Sequence, residues 1–387
     1  MKQRLDALDV RILEGLGIYG PRDLMFLADK LDLNRGTVWK RVRHLSSLHL
    51  LRLHANVYHT NLGLKKAVVV AWAVPGKEDL LFDCLCVNDY RVYISRCFGV
   101  SEGCVAVYTI PENHIPEFKE FIGEIERAGV AKSVEMVWST CFQSVNLTSN
   151  WFDMKSETWV FPWDEWRREV AREGTELPYT LVDPKEFAMK GDAMDLFILK
   201  ELEKDAAIDS VDIAKKFGTS RQVVDYHYKT HVLKRGLIEN VQVNVEPFDR
   251  KGMSEPVFLT LRFDDGKRLA RFARSLLDKP FAHTVGKVLG EHALVAYLHF
   301  LSRKDFRSFM AALSRLVRDG LVRDYKFALL DLDRTWRETV RHDLFKDKSW
   351  VYNHEGHLER VRELVKKAGK TEKPPKRLES GVRLVSS

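Results

Sequence analysis

The feature that most constrains this chain is a repeat of its own opening at an offset of 186 residues. The stretch LDALDVRIL begins at Leu5, and a similar stretch, GDAMDLFIL, begins at Gly191. The offset also pairs later residues: Asp23 with Asp209, Ala28 with Ala214, Arg35 with Arg221 and Val38 with Val224. A repeat that keeps its register this long predicts two copies of one structural unit.

Length and composition agree with two folded halves. The chain has 387 residues, more than one compact core usually organises, so two or more domains are expected. Hydrophobic residues make up 45% and charged residues 30%, the balance of a soluble globular protein. The most apolar stretches, such as AVVVAWAV from Ala67, have the length of a buried strand, so we expect no membrane span.

The N-terminus and the cysteines predict a cytoplasmic protein. The opening MKQRLDALD lacks the apolar core of a secretory signal, and the five cysteines are an odd number, all in the first half. The formal net charge of +7 suggests an anionic partner.

After each opening, the hydrophobic pattern predicts the order βαββαβ. The first copy covers strand 67–75, helix 77–88, strands 91–98 and 103–110, helix 115–127 and strand 133–142. The second covers 256–263, 267–277, 282–289, 293–300, 305–317 and 322–332 in the same order. This order is that of the ferredoxin-like fold, whose sheet is antiparallel.

The predicted fold class is α+β, with two copies of a winged helix-turn-helix domain followed by a ferredoxin-like βαββαβ domain. The predicted boundaries are 1–62 and 191–250 for the winged helix-turn-helix domains, 63–146 and 251–335 for the ferredoxin-like domains, 147–190 for a Trp-rich arm, helix and linker, 336–369 for a C-terminal arm and helix, and 370–387 for a flexible basic tail.

The third helix of each copy is the candidate DNA-reading element. In the first copy, Asn34 can cap a helix that contains four basic residues and no acidic one. Such a surface can neutralise phosphates and reach base edges in the major groove, and two short helices before it complete a helix-turn-helix. In the second copy, Ser220 caps a less basic helix. The candidate DNA-binding residues are Asn34, Arg35, Thr37, Trp39, Lys40, Arg41, Arg43, Ser220, Arg221, Gln222, Tyr226 and Lys229.

A winged helix-turn-helix that opens with an LDxLDxxIL-like helix, uses NRGTVWKRVRHL as its third helix and precedes a βαββαβ module resembles the Lrp/AsnC family of transcription regulators. The resemblance implies double-stranded DNA as partner and a ferredoxin-like module for dimerisation and effector binding. It also implies a small-molecule effector near the turn between the second and third strands, where Gly99 and Gly290 stand.

The sequence therefore predicts a sequence-specific DNA-binding transcription regulator. Two unlike heads in one chain can read an asymmetric site, and pairing of two chains into a homodimer stays open. The tandem arrangement differs from common bacterial members and favours an archaeal source. Two alternatives are a chromatin-like architectural DNA-binding protein and a ligand-sensing interaction scaffold that does not bind DNA.

No pattern in the sequence indicates an enzyme, a cofactor or a metal site. Cys84 and Cys86 lack a second cysteine pair, so we expect ordinary buried or half-buried thiols. No nucleophile, carboxylate pair or phosphate-binding glycine loop stands in a catalytic context. Four histidines lack ligand spacing and are expected on the surface or the wing: His44, His49, His54 and His59.

Four tryptophans follow the first predicted module: Trp151, Trp159, Trp163 and Trp166. They could stack on the bases of a single strand. Together with the neighbouring phenylalanines, they are more typical of an apolar arm that packs on a sheet or on a partner chain.

Overall fold

The computed structural model describes residues 5–48, 51–172, 174, 176–245 and 255–371. The first half contains helices α1 (Ala7–Tyr19), α2 (Leu24–Leu31), α3 (Arg35–Ser47), α4 (Glu78–Leu85), α5 (Ile115–Arg127) and α6 (Trp163–Arg172). Its strands are β1 (Leu51–Val57), β2 (Leu64–Ala73), β3 (Arg91–Phe98), β4 (Glu102–Pro111), β5 (Ala131–Ser139), β6 (Gln143–Ser144), β7 (Phe152–Asp153) and β8 (Thr158–Trp159).

The second half has the corresponding elements. Its helices are α7 (Ala193–Lys204), α8 (Ser210–Phe217), α9 (Arg221–Tyr226), α10 (Gly266–Arg274), α11 (Arg303–Arg318) and α12 (His354–Thr371). Its strands are β9 (Ile238–Val245), β10 (Glu255–Arg262), β11 (Ala282–Lys287), β12 (Ala293–Phe300), β13 (Asp324–Arg337), β14 (Phe345–Lys346) and β15 (Ser349–Trp350). Helix α9 continues as a π-helix over His227–Leu233.

The repeated opening of the sequence is a repeated helix cap. The side chain of Asp6 accepts a hydrogen bond from the backbone N–H of Asp9, and the Asp9 side chain accepts one from Asp6. Asp192 and Asp195 form the same reciprocal capping box at the start of α7. Each box satisfies amides that the first helical turn leaves without partners, which explains why both copies begin alike.

Helices α1–α3 form the first head, and α7–α9 with the π-helix form the second head. Behind the heads, β1 of the first half and β9 of the second half pair antiparallel and form a two-stranded ribbon. This ribbon joins the two halves of the chain. The heads also touch directly, since Arg22 donates to the hydroxyl of Ser210 at 3.0 Å and stacks on the ring of Tyr228.

The remaining long strands form one nine-stranded antiparallel sheet in the order β5-β2-β4-β3-β13-β10-β12-β11-β6. Strands β2–β5 are the first module and β10–β13 the second module. Pairing of β3 with β13 joins the two modules, and a bridge between Ser139 and Val288 brings the end of β5 to the end of β11. An apolar layer of both modules lies between them, with Val68, Val105, Phe258 and Val295 buried.

Each half covers the module of the other half with its last helix. Helix α6 packs on α10 and α11 of the second module, whereas α12 packs on α4 and α5 of the first module. In the first case Trp166 is fully buried, and its ring lies 5.4 Å from Phe309 and 5.9 Å from Phe281. Trp151 and Trp163 join the same aromatic cluster, so this part of the arm packs in the core and offers no base-stacking platform.

The α+β fold class with two heads and two ferredoxin-like modules is confirmed. Helix α12 extends to Thr371, so the first residues of the tail predicted over 370–387 are helical; the rest of that tail lies outside the described residues. Within the described ranges, no helix combines the length and the apolar character needed to cross a membrane.

Candidate functional site

Helix α3 of the first head, the predicted DNA-recognition helix, presents a basic face. Asn34 caps it by accepting a hydrogen bond from Gly36 N–H at 2.9 Å. Lys40 is exposed, and the Arg43 guanidinium lies 4.8 Å from the ring centre of Trp39, which is also exposed. Arg35 is exposed but forms an ion pair with Asp29 at 3.0 Å, and Thr37 is half-buried.

Arg41 has a different environment from the other basic residues of α3. Its guanidinium contacts Asp6 at 2.5 Å and Asp9 at 3.0 Å, inside the head. Burial raises the pKa of Asp9, and Arg41 favours the ionised form of both carboxylates. The structure thus places Arg41 as a link between α1 and α3.

The second head offers a weaker basic face. Ser220 caps α9 by accepting from Val223 N–H at 3.4 Å, and Arg221 forms an ion pair with Asp225 at 3.3 Å. Lys229 and Gln222 are exposed. Tyr226 is exposed as well, and its ring contacts the two histidines of the π-helix, His227 and His231.

The two turn glycines lie at the β3–β4 and β11–β12 turns, as expected from the sequence. A side chain at Gly99 would meet Trp72 at 2.6 Å, so close packing requires glycine there. Gly290 has φ +73°, and its N–H donates to Asp183 at 3.2 Å. The segment between the two halves therefore covers the second turn.

A concave feature with convergent polar groups lies where the space between the modules meets the ribbon. This ribbon cavity has a volume of about 370 Å³. Its wall comprises Arg52, Val145, Leu147, Val243, Asn244, Val245, Pro280, Phe281, Ala282, His283, Tyr297, His299, Leu301, Leu332, Thr335 and Arg337. Ligand pockets commonly combine such an apolar wall with a few polar groups.

The charge of the ribbon cavity is positive. Arg52 comes from β1 and Arg337 from the end of β13, and no carboxylate belongs to the described lining. An irregularity of β13 between Asp331 and Thr335 shifts its pairing with β3 and carries Arg337 to a position opposite Tyr93. Two guanidinium groups in a lining without a carboxylate favour an anionic ligand, above all a carboxylate.

One histidine of the cavity lining, His283, is uncharged. Burial, together with the charge of Arg337, lowers the pKa of His283 to about 3. Gln242 of the ribbon lies 2.9 Å from His283 Nδ1, and the His283 ring packs 4.9 Å from that of Tyr297. Behind Arg52, burial also lowers the pKa of His54, whose Nε2 has no hydrogen-bond partner among the described residues.

A partly buried polar layer lies on the first-module side of the ribbon. Burial raises the pKa of Glu203 and of Glu239 to about 7, even though Lys66 is close to both. Val340 N–H donates to Glu203 at 2.6 Å. His59 is also buried here, so the prediction of a surface or wing position is wrong for it; a short 3-10 turn carries it inward.

Sequence reasoning did not find the cavity residues, because they form no motif and are far apart in the chain. One local signal was present in the strand 293–300. Tyr297 and His299 interrupt an otherwise apolar strand at a spacing of two, which places both side chains on one face. Polar residues that share one face of a buried strand indicate a cavity or a buried polar network.

The comparisons with known proteins concern the fold. No protein-family model and no curated protein sequence matches this chain. The siroheme decarboxylase NirDL is similar over 93% of this chain and 99% of its own, with a TM-score of 0.56 and 9% identity. The co-complex of NirDL with an iron-uroporphyrin III analogue is similar over 92% of this chain and 98% of its own, with a TM-score of 0.50 and 9% identity. An AsnC-family regulator from Pyrococcus furiosus matches 35% of this chain and 88% of its own, with a TM-score of 0.28 and 16% identity.

These matches correct one prediction. The resemblance to Lrp/AsnC regulators is matched by solved structures over about 35% of the chain only. The two NirDL structures span nearly the whole chain and are those of an enzyme, a finding that contradicts the prediction of a non-enzymatic protein. The sequence patterns considered were local catalytic motifs, whereas the polar groups of the ribbon cavity come from both halves.

Proposed function

We propose that this chain is an enzyme that binds a polycarboxylate ligand of the modified-tetrapyrrole class in the ribbon cavity and removes a carboxyl group from it. The observation that carries the proposal is the pair Arg52 and Arg337 in a cavity whose described lining has no carboxylate. The similar fold of NirDL, a siroheme decarboxylase, supports the reaction class.

The cavity offers the two kinds of contact that such a ligand needs. Apolar side chains, including Val145, Leu147 and Phe281, can pack on the flat macrocycle. The guanidinium groups of Arg52 and Arg337 can form paired hydrogen bonds with its peripheral carboxylates. The partly apolar surroundings strengthen these charge-assisted bonds because water competes less well for them.

The reaction requires no oxidant or reductant. The bond between a side-chain carbon and its carboxylate breaks, the electron pair stays on that carbon, CO₂ leaves, and a proton takes its place. The protic groups of the lining, His283, His299 and Tyr297, can pass that proton from solvent to the carbon. His283 stays uncharged because its pKa is about 3, so in such a relay it gives up the proton of one ring nitrogen as the other ring nitrogen accepts one.

Titration with iron-uroporphyrin III, followed by its visible absorption, tests the proposal. The wild-type chain should bind it, and Arg337→Gln and Arg52→Gln should each weaken binding roughly 10- to 100-fold, the range for loss of a charged hydrogen bond. Arg334→Gln is the control, because Arg334 is exposed on the same strand outside the lining. Mass spectrometry of siroheme that has been incubated with the wild-type chain should detect the loss of CO₂ from siroheme.

Two results would contradict this proposal. One is no binding of either tetrapyrrole by the wild-type chain. The other is equal affinity of the two cavity variants and the Arg334 control, because the arginines of the cavity would then make no contact with the ligand.

A second candidate function, sequence-specific DNA binding for transcription regulation, is favoured by a separate observation. Helix α3 carries Lys40 and Arg43 on an exposed face without an acidic residue. These side chains can contact phosphates and base edges if α3 enters the major groove. The second head contributes less, since Arg221 is engaged by Asp225.

The DNA-binding candidate is tested by affinity for genomic DNA fragments as a function of salt. Lys40→Gln combined with Arg43→Gln should weaken binding about tenfold and lower the salt slope by about 1 for each lost phosphate contact. Lys119→Gln is the control, because Lys119 is exposed on α5, outside both heads. If the wild-type chain does not retain DNA at low salt, or if both variants have the slope of the wild type, α3 does not bind DNA.

A further inference from the structure

Two histidines and two aspartates meet inside the second head. His227 and His231 belong to the π-helix, four residues apart, and Asp192 and Asp195 belong to the capping box of α7. One ligand atom from each of the four residues can be chosen so that all lie within 4.8 Å of one another. We propose that these four side chains bind a divalent transition-metal ion of the Zn²⁺ class. The site is separate from the ribbon cavity and does not depend on the proposed function.

The distances fit tetrahedral coordination. His227 Nδ1 lies 2.8 Å from Asp195 Oδ1, and His231 Nδ1 lies 3.1 Å from Asp195 Oδ2. The Asp192 oxygens lie 3.8 Å from the same two nitrogens. Zinc bonds of roughly 2.0–2.2 Å at tetrahedral angles require ligand atoms about 3.3–3.6 Å apart. This separation lies within the 2.8–3.8 Å range of the four nitrogen–oxygen distances.

The helix geometry aims both imidazoles at one point. The two rings lie 4.5 Å apart, and both present Nδ1 to the fully buried carboxylate of Asp195. A short π-helical segment inside a longer helix is uncommon, and such segments are often found at functional sites. Here the segment begins at His227 and contains both histidines.

The first head shows what occupies this position without a metal ion. The repeat offset matches Asp192, Asp195 and His227 with Asp6, Asp9 and Arg41, and it matches His231 with Leu45. In the first head, the positive charge between the two carboxylates is the Arg41 guanidinium. Imidazole ligands bring no charge, so two carboxylates leave two negative charges, one of them fully buried, which a divalent cation neutralises.

The types of ligand atom at this site favour one class of metal ion. Two imidazole nitrogens and two carboxylate oxygens suit Zn²⁺ and its neighbours, whereas Mg²⁺ and Ca²⁺ prefer oxygen ligands alone. The Asp192 side chain already caps α7 through Oδ1. The ion would therefore fix the start of α7 to the recognition helix of the second head, as Arg41 links α1 to α3 in the first.

The test measures Zn²⁺ binding to the full chain after removal of bound metal. We expect one calorimetric site that the double variant His227→Arg/His231→Leu weakens at least about 100-fold, since two ligands are lost. This variant introduces the residues that the first head has at the same positions, so it should remain folded. Asp192→Asn keeps a good helix cap and should weaken binding at least about tenfold.

Two further readouts separate this site from adventitious metal binding. Co²⁺ in place of Zn²⁺ should give the visible absorption of a tetrahedral complex in the wild type and not in the double variant. Zn²⁺ should raise the melting temperature of the wild type only. Equal Zn²⁺ affinity and stoichiometry in the wild type and the double variant, or no Zn²⁺ binding by the wild type, would overturn the proposal.

Discussion

Replacing Trp166 with alanine is expected to lower the free energy of unfolding by about 3–5 kcal/mol, the usual range for loss of a fully buried aromatic side chain. The Trp166 ring is closed off by Phe272, Phe281 and Phe309 at centroid distances of 5.4 to 5.9 Å. Its indole N–H donates to the Ser275 carbonyl at 3.1 Å, and this acceptor would lose its partner.

The measurement is urea unfolding followed by circular dichroism. Trp39→Ala is the matched control, because Trp39 is 49% exposed and its removal should change the free energy by no more than about 0.5 kcal/mol. The free energy of unfolding of Trp166→Phe should lie between those of the two alanine variants. If Trp166→Ala and Trp39→Ala had the same small effect, α6 would not anchor the second module.

The substitution Glu203→Gln should stabilise the protein by about 3 kcal/mol at about pH 8 and by almost nothing at about pH 4. Burial raises the pKa of Glu203 from 4.5 in the unfolded chain to about 7 in the folded chain. The stability that comes from the protonated carboxyl is complete below pH 4.5 and is lost as the pH rises through 7. Glutamine stays uncharged and keeps an acceptor for Val340 N–H.

Unfolding of the wild type and the variant at several pH values between these limits gives the difference curve. Glu359→Gln is the control, because Glu359 is exposed on α12 and its curve should follow that of the wild type. A Glu203→Gln curve parallel to the wild type over the whole range would mean that the Glu203 carboxyl stays ionised in the folded chain.

The predicted helices of the heads agree well with the structure because their signals are local. Asp6, Asp192 and Ser220 cap the helices that follow them, and each cap depends only on residues within the next turn. The βαββαβ order could also be predicted from the sequence, because strands and helices differ in the spacing of their apolar residues. Which strands pair across the two halves had no local signal, and the contact of β3 with β13 appears only in the structure.

Less of the candidate sites could be predicted from the sequence. The basic face of α3 could be predicted from its composition, but Arg41 counts among its basic residues in the sequence and faces Asp6 and Asp9 in the fold. Arg52 and Arg337 lie in different halves, and only the ribbon and the joined sheet bring them to one cavity. A histidine pair four residues apart, such as His227 and His231, became a candidate ligand set only beside the α7 cap.

The sequence by itself determined that the same series of elements occurs twice, where most of the helices begin, and which strand faces are apolar. These properties follow from hydrogen bonds and side-chain periods within a few residues. The tertiary structure alone decided that α6 and α12 cover each other's modules, that the ribbon closes a positively charged cavity, and that two aspartates meet arginine in one head and histidines in the other. Such contacts join residues far apart in the chain, so they arise only when both halves pack together.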